Sequence, residues 1–396
     1  MAHFKYLIIG GGMTGDAAVH GIREIDPTGS IGVISAEEDP PYDRPPLTKG
    51  LWRGDDFSSI WLDTQGPDVE LMLGRLVEKL DLAGRLVVDT EGVEYSYEKL
   101  LLATGGTPRR LPSGSSVVNY YRTVGDYRQL RQDFDRFDRF AVIGGGFIGS
   151  EIAAALAMNG KKVALLFPED AIGARVYPAE LAAYLTTYYR QRGVEVHPHS
   201  MVTDVATRED HHILDVRTTG GARYQIEAES LIAGIGITPN TDLAESAGLR
   251  SDDGILVDRY LQTSHPDVWA AGDVANFENP ALGIRLRVEH EDNAKTMGRA
   301  AGLNMTGQAT AYDHLPFFYS DLFELGYEAV GELDSRMDTF SDWQEPLQKG
   351  TIYYLRDGQV RGALLWNVWE QVDAARDLIA AHARFRHQDL IGRLAA

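Results

Sequence analysis

Residues 5–15 read KYLIIGGGMTG, and residues 139–149 read RFAVIGGGFIG. Few patterns restrict a backbone so tightly. In each copy an apolar run stops at a glycine cluster and gives way to a helix-like stretch, DAAVHGIREI at 16–25 and SEIAAALAMNG at 150–160. A second apolar run follows, IGVIS at 31–35 and KVALLF at 162–167. Strand, helix, strand, written twice, is the unit of a parallel sheet with right-handed crossovers. After each unit come short strand-like segments, VEKLDL and RLVVD within 68–102 with KLLLATGG closing it, and HHILDVRTTGG, ARYQIEAE and SLIAGIGI within 210–237. These predict a strand excursion and a return to the parallel sheet. The last part differs. TIYYLRDGQVRGALLW at 351–366 alternates about an Asp-Gly pair, a hairpin signal, and VWEQVDAARDLIAAHARF after it has helical spacing.

The glycines carry chemistry as well as shape. Gly10, Gly12 and Gly15 stand at the GxGxxG positions, as do Gly144, Gly146 and Gly149. The first glycine permits the tight turn, the second lets backbone approach a pyrophosphate, and the third packs helix on strand. The helix N-terminus then offers N–H groups and a positive dipole end to the phosphates. An acid about 20 residues later is expected to hold ribose hydroxyls. Glu37, or its neighbour Glu38, fills that place in the first copy, and Glu169 in the second. An acid there favours NAD over NADP, although Arg175 lies close by and works against that preference. One such motif is weak evidence. Two, each in strand–helix context with an acid at the right offset, predict two bound dinucleotides.

Composition removes several classes. The 396 residues suffice for two or three domains. There is no cysteine, so no disulfide relay, thiolate metal site or CxxC pair can form, and no metal site is expected. A formal charge of −20 repels nucleic acid and anionic membrane surfaces. MAHFKYLIIGGG leads straight into a strand without signal-peptide features, and no run is long enough to span a bilayer. A cytoplasmic protein with neither nucleic-acid nor membrane partners is the expectation.

PPYDRPPLTKGLW (40–52), LLATGGTPRRL (101–111), YYRTVGDYRQL (120–130), IGGGFIGSE (143–151), LFPED (166–170), WAAGDVANF (269–277) and VEHEDNA (288–294) occur in order. Together they resemble the FAD/NAD(P)-dependent pyridine nucleotide oxidoreductases, within them apoptosis-inducing factors and bacterial ferredoxin-reductase-like flavoproteins. FFYSDLFELGYEAVGELD (317–334) and KGTIYYLRDGQVRGALLWN (349–367) extend the likeness toward the C-terminus. The resemblance implies an α/β fold with two Rossmann-type dinucleotide-binding domains, glutathione-reductase-like, plus a C-terminal α+β domain. The boundaries expected are 1–115 with 238–310 for a discontinuous FAD-binding domain, 116–237 for NAD, and 311–396 for the last domain.

The resemblance also implies roles. FAD would occupy the first corner and NADH the second. Asp273 would meet the ribityl–phosphate region, Arg44 the FAD phosphates, and Arg122 the flavin nucleotide. Lys49 would lie beside the flavin and pair with Glu151 under the nicotinamide. Taken without the resemblance, these two read as a surface lysine and a first-turn helix glutamate at home with the dipole. Phe147 would lie along the nicotinamide, and Glu289 and His290 near the two rings, with a proton-transfer role for His290. Further cofactor contacts would fall at Met13, Thr14, Val77, Ala103, Thr104, Gly105, Ile148 and Gly236. Two departures stand out: Tyr319 replaces the family's usual tryptophan, and Glu291 and Asn293 stand where the apoptosis factor carries histidines. No basic surface for DNA accompanies the likeness.

The function expected is hydride transfer from NADH to FAD, with electrons passing to an acceptor such as a ferredoxin or rubredoxin. One alternative is an NADH oxidase or quinone-type reductase with a small acceptor. Another is an NADH-sensing protein with a stable charge-transfer complex and homodimerisation on reduction.

Overall fold

The computed structural model describes residues 2–64, 66 and 68–394. They form two compact units. The first comprises 1–44, 58–107 and 238–317, and the second 45–57, 108–237 and 318–396.

In the first unit Ala2–Ile9 lies at the centre of a seven-stranded sheet. It pairs in parallel with Ile31–Ile34 on one side and Glu94–Leu102 on the other, and Val268–Ala270 pairs in parallel with the latter. Central strands covered on both faces need continuous apolar runs, which is why KYLII and LLLA do not alternate. Leu7, Ile8, Leu100, Leu101 and Leu102 have no exposed surface. The strands of 68–102 return as expected, with Val77–Asp81 antiparallel to Leu86–Asp89. Helix Met13–Arg23 packs against helix Glu291–Met305, whose Gly298 and Gly302 lie so close to Thr14 and Ala18 that a Cβ would overlap their carbonyl oxygens.

In this unit Asp89 is fully buried and accepts the N–H groups of Glu91 and Val93 and the Tyr95 hydroxyl, each at 2.9 Å. Burial works to raise its pKa, but these donors and Arg75 outweigh it and hold the carboxyl below its ordinary 3.8. Such a group contributes stability that is complete above the ordinary value and drains away as pH falls through the folded one. The thermal midpoint should therefore decline below about pH 4, and Asp89→Asn should flatten that decline in calorimetry. An identical acid limb in the variant would rule Asp89 out as its source.

The second unit holds a four-stranded parallel sheet in the order Val194–His197, Lys162–Leu166, Arg139–Ile143, Ser230–Ala233. Ser200–Arg208, His211–Thr218 and Arg223–Ala228 form an antiparallel meander whose Val202, Leu214 and Val216 share a core with Ala141 and Leu166. The strand at 200–208 lacks strict alternation and is not apparent from the sequence. A five-stranded antiparallel sheet completes the unit, in the order Phe317–Leu322, Leu325–Gly331, Gln359–Trp366, Lys349–Arg356, Asp338–Glu345. Asp357 and Gly358 turn its expected hairpin with φ of 53° and 76°, the doubly left-handed turn that matches strand twist. The helix after it is shorter than its spacing suggests, Val372–Ala380. Asn367 and Glu370 at φ 51° and 64° delay its start, and His382 at 50° closes it. Among the described residues no helix is long and apolar enough to cross a membrane.

Candidate functional site

The two glycine corners have the same construction. Gly10 and Gly144 take φ of 123° and 115°, a region closed to other residues at little cost. A Cβ on either would overlap backbone of the neighbouring strand end, at Ala103 and Gly234 respectively. A Cβ on Gly15 or Gly149 would run into the carbonyl oxygen of Gly10 or Gly144. The middle glycines differ. Nothing lies within 4 Å of a Cβ on Gly146, and on Gly12 only the Arg44 guanidinium, at 3.9 Å. First and third glycines are closed by packing, while the second keeps room in front of a helix N-terminus. Gly12 caps Met13–Arg23 and Gly146 caps Phe147–Met158, neither with a side-chain cap bond. That cradle fits a diphosphate.

Around the first corner the PYDR loop brings its charges together. Arg44 donates to Glu37 Oε1 at 2.5 Å, and the Tyr42 hydroxyl donates to Oε2 at 2.6 Å. Glu38 points to solvent. Burial works against the Arg44 charge, yet Tyr42, Glu37 and Asp273 outweigh it and raise its pKa above the ordinary arginine value. A guanidinium over Gly12, with Asp273 in its field, is suited to an anionic ligand flanked by hydroxyls. Asp273 sits in a short 3-10 turn, and its Gly272 packs against Thr14 so closely that a Cβ would overlap the Thr14 hydroxyl. The 103–105 loop is braced by Asn240, whose amide donates to the Thr104 carbonyl at 2.8 Å while its own N–H reaches the Gly105 carbonyl at 3.0 Å. Lys295 ties the PYDR loop to helix Glu291–Met305 through Asp43 at 2.8 Å and Glu291 at 2.6 Å. His290 is the N-cap residue of that helix, and Glu289 pairs with Arg287 at 2.6 Å. Val77 lies in the sheet core at the start of its strand. Met13 and Thr14 are buried in the first turn of the corner helix.

Within the second unit, Glu169 lies just past its strand and pairs with Arg175 at 2.6 Å, whose side chain is largely exposed. Gly236, at φ 90°, accepts the Arg109 N–H at 2.9 Å. Arg122 precedes helix Val124–Arg136 and lines a cleft of about 880 Å³ with Asn119, Asp126 and His212. Phe147 packs edge-on against Phe318 with ring centroids 5.4 Å apart, and Ile148 beside it is partly exposed.

The expected Lys49–Glu151 pair is present. Lys49 Nζ stands 2.8 Å from Glu151 Oε2, with side chains 12% and 2% exposed. That degree of burial removes the reading of two ordinary surface charges. Lys49 also lies over the Tyr319 ring, 5.1 Å from its centroid. Thr48 and Ser320 complete the surroundings of Glu151, donating to Oε2 and Oε1 at 2.6 Å each. Sequence reasoning missed both, together with Tyr42, Asn240 and Lys295. Small hydroxyls and amides carry no spacing signature, and the adjacency of Thr48 to Lys49 was the one available hint.

Residues 4–298 match the family model described as pyridine nucleotide-disulphide oxidoreductase. Residues 301–347 and 341–381 match the C-terminal region of mitochondrion-associated apoptosis-inducing factor. Mitochondrial apoptosis-inducing factor 1 of Dictyostelium discoideum is 36% identical across 95% of this chain and 78% of its own length. The ferredoxin reductase subunit of 5,5'-dehydrodivanillate O-demethylase from a Sphingobium species is 36% identical across 91% of this chain and 89% of its own. The chain's structure is similar to putidaredoxin reductase in its covalent complex with putidaredoxin, with a TM-score of 0.89 and 28% identity, covering 98% and 96% of the two chains. Two glycine corners, each holding open a diphosphate cradle, and matches of this extent lead to one conclusion: the chain belongs to the pyridine nucleotide-disulphide oxidoreductase family and is an electron-transfer oxidoreductase that uses FAD and NAD(H).

Proposed function

We propose that this protein is an NADH-dependent reductase that passes electrons to a small iron–sulfur or rubredoxin-type protein. The carrying observation is the pair of open cradles at Gly12 and Gly146. In this reading residues 1–115 and 238–310 bind FAD, 116–237 bind NADH, and 311–396 form the last domain. When bound, the flavin accepts hydride from the nicotinamide and releases electrons onward, chemistry the cofactors supply themselves. The chain's part is orientation and field. Arg44 and Asp273 hold the FAD diphosphate and ribityl chain, with Glu37 on the adenosine side. Lys49, kept in place by Glu151, steadies negative charge that builds on the ring system. Phe147 and Tyr319 would supply the aromatic contacts to the nicotinamide and flavin, and His290 would be the candidate for proton transfer. A cytoplasmic location accompanies this reading.

The relatives' printed names support the acceptor class, since two that match over nearly the whole chain are ferredoxin reductases. The absence of cysteine requires electrons to leave the flavin without a dithiol relay. Stopped-flow reduction by NADH, followed by reoxidation with a ferredoxin, a quinone or air, tests the proposal. Turnover with the iron–sulfur protein well above that with small acceptors is the expected outcome. The reverse ranking would move the protein to the oxidase class, and a long-lived long-wavelength band with a change in oligomer size would move it to the sensing class.

Glu169 makes a separate prediction. Hydrogen bonds to a charged group contribute about 1.5–3 kcal/mol, so Glu169→Ala should raise the KM for NADH roughly tenfold or more. The same change releases Arg175 to meet a 2′-phosphate and should narrow the preference over NADPH. Unchanged KM values for both coenzymes would take Glu169 out of ribose recognition.

A further inference from the structure

Glu151 is the meeting point of three chain segments within the second unit. Its own helix, Phe147–Met158, carries it in the first turns. The 3-10 turn Pro45–Thr48 brings Thr48, and the strand Phe317–Leu322 brings Ser320. Thr48, Glu151 and Ser320 are 6%, 3% and 1% exposed, so none has an alternative partner in bulk water. An ammonium group is a point charge with rotatable donors and cannot by itself fix the plane of a carboxylate. Two hydroxyls, one on each oxygen, can. Thr48 donates to the oxygen that faces Lys49, and Ser320 to the other.

The geometry points to Thr48 and Ser320 as positioning residues that hold the Glu151 carboxylate in one orientation, and through it set where the Lys49 ammonium stands. The rest of the surroundings agree. The Tyr319 ring meets the ammonium. Burial, with a further contribution from the Glu151 charge, pushes the hydroxyls of Tyr177, Tyr189 and Tyr327 upward, as expected where water screens charge poorly. Where screening is weak, a displacement of the ammonium changes the field it exerts. This inference rests on the reading that Lys49 acts on the flavin.

The test uses the flavin-loaded protein and four variants: Thr48→Val, Thr48→Ser, Ser320→Ala and Lys49→Met. Three quantities are measured: the rate of flavin reduction by saturating NADH, the flavin midpoint potential, and the thermal midpoint. Thr48→Val and Ser320→Ala are expected to slow reduction about tenfold each and to shift the potential in the direction of Lys49→Met, with flavin content retained. Thr48→Ser should restore both quantities to near wild type. Wild-type rate and potential in Thr48→Val and Ser320→Ala, alongside a slow Lys49→Met, would overturn the positioning role alone. A Lys49→Met variant with unchanged rate and potential would remove the reading of Lys49 and this inference with it. A fall in thermal midpoint without a shift in potential, not rescued by Thr48→Ser, would reduce the two hydroxyls to a structural role.

Discussion

Gly15→Ala is expected to give a protein that emerges colourless, without bound flavin, and Gly149→Ala one that keeps its flavin but is no longer reduced by NADH. At both positions the new methyl would run into a backbone carbonyl oxygen, at Gly10 or Gly144, which cannot swing away as a side chain could. Overpacking of this kind costs about 1–3 kcal/mol or moves the backbone, and here it would move the turn that forms the cradle. Gly146→Ala separates function from packing. A Cβ there meets nothing within 4 Å, and its φ of −85° suits any residue. The thermal midpoint should therefore stay at the wild-type value while the KM for NADH rises at least tenfold, about 1.4 kcal/mol or more of lost binding. Wild-type NADH kinetics in Gly146→Ala would mean that the second corner is only a turn. Visible spectra, calorimetry and steady-state kinetics together decide among these outcomes.

Removing Glu151 should have the second large effect. Breaking a buried ion pair by deleting one partner costs about 3–5 kcal/mol, because the remaining charge is left uncompensated. Glu151→Leu leaves Lys49 in that state and deprives Thr48 and Ser320 of their acceptor. The thermal midpoint should drop by several degrees and flavin reduction should slow strongly. The double variant Lys49→Met, Glu151→Leu removes the stranded charge as well. It should recover part of the stability, since apolar replacement of a buried pair is often neutral, yet none of the reduction rate. If the double variant regained the rate along with the stability, the pair would be structural only.

Much of this architecture was legible in the chain. The repeated glycine corner, with apolar runs on either side and an acid after the second strand, determined two strand–helix–strand units, because backbone sterics leave so few ways to turn after GGG into a helix. Asp357-Gly358 determined a hairpin for the same reason. The Lys49–Glu151 pair came from family resemblance, since its members are about a hundred positions apart and neither has a local signature. Tertiary structure alone decided that segment 45–57 packs with the second unit, that Glu37 rather than Glu38 meets Arg44, and that Thr48 and Ser320 converge on one carboxylate. Local sequence encodes backbone conformation through sterics and periodicity. Which small polar side chains satisfy a buried charge depends on desolvation, and that is settled only when distant segments close around it.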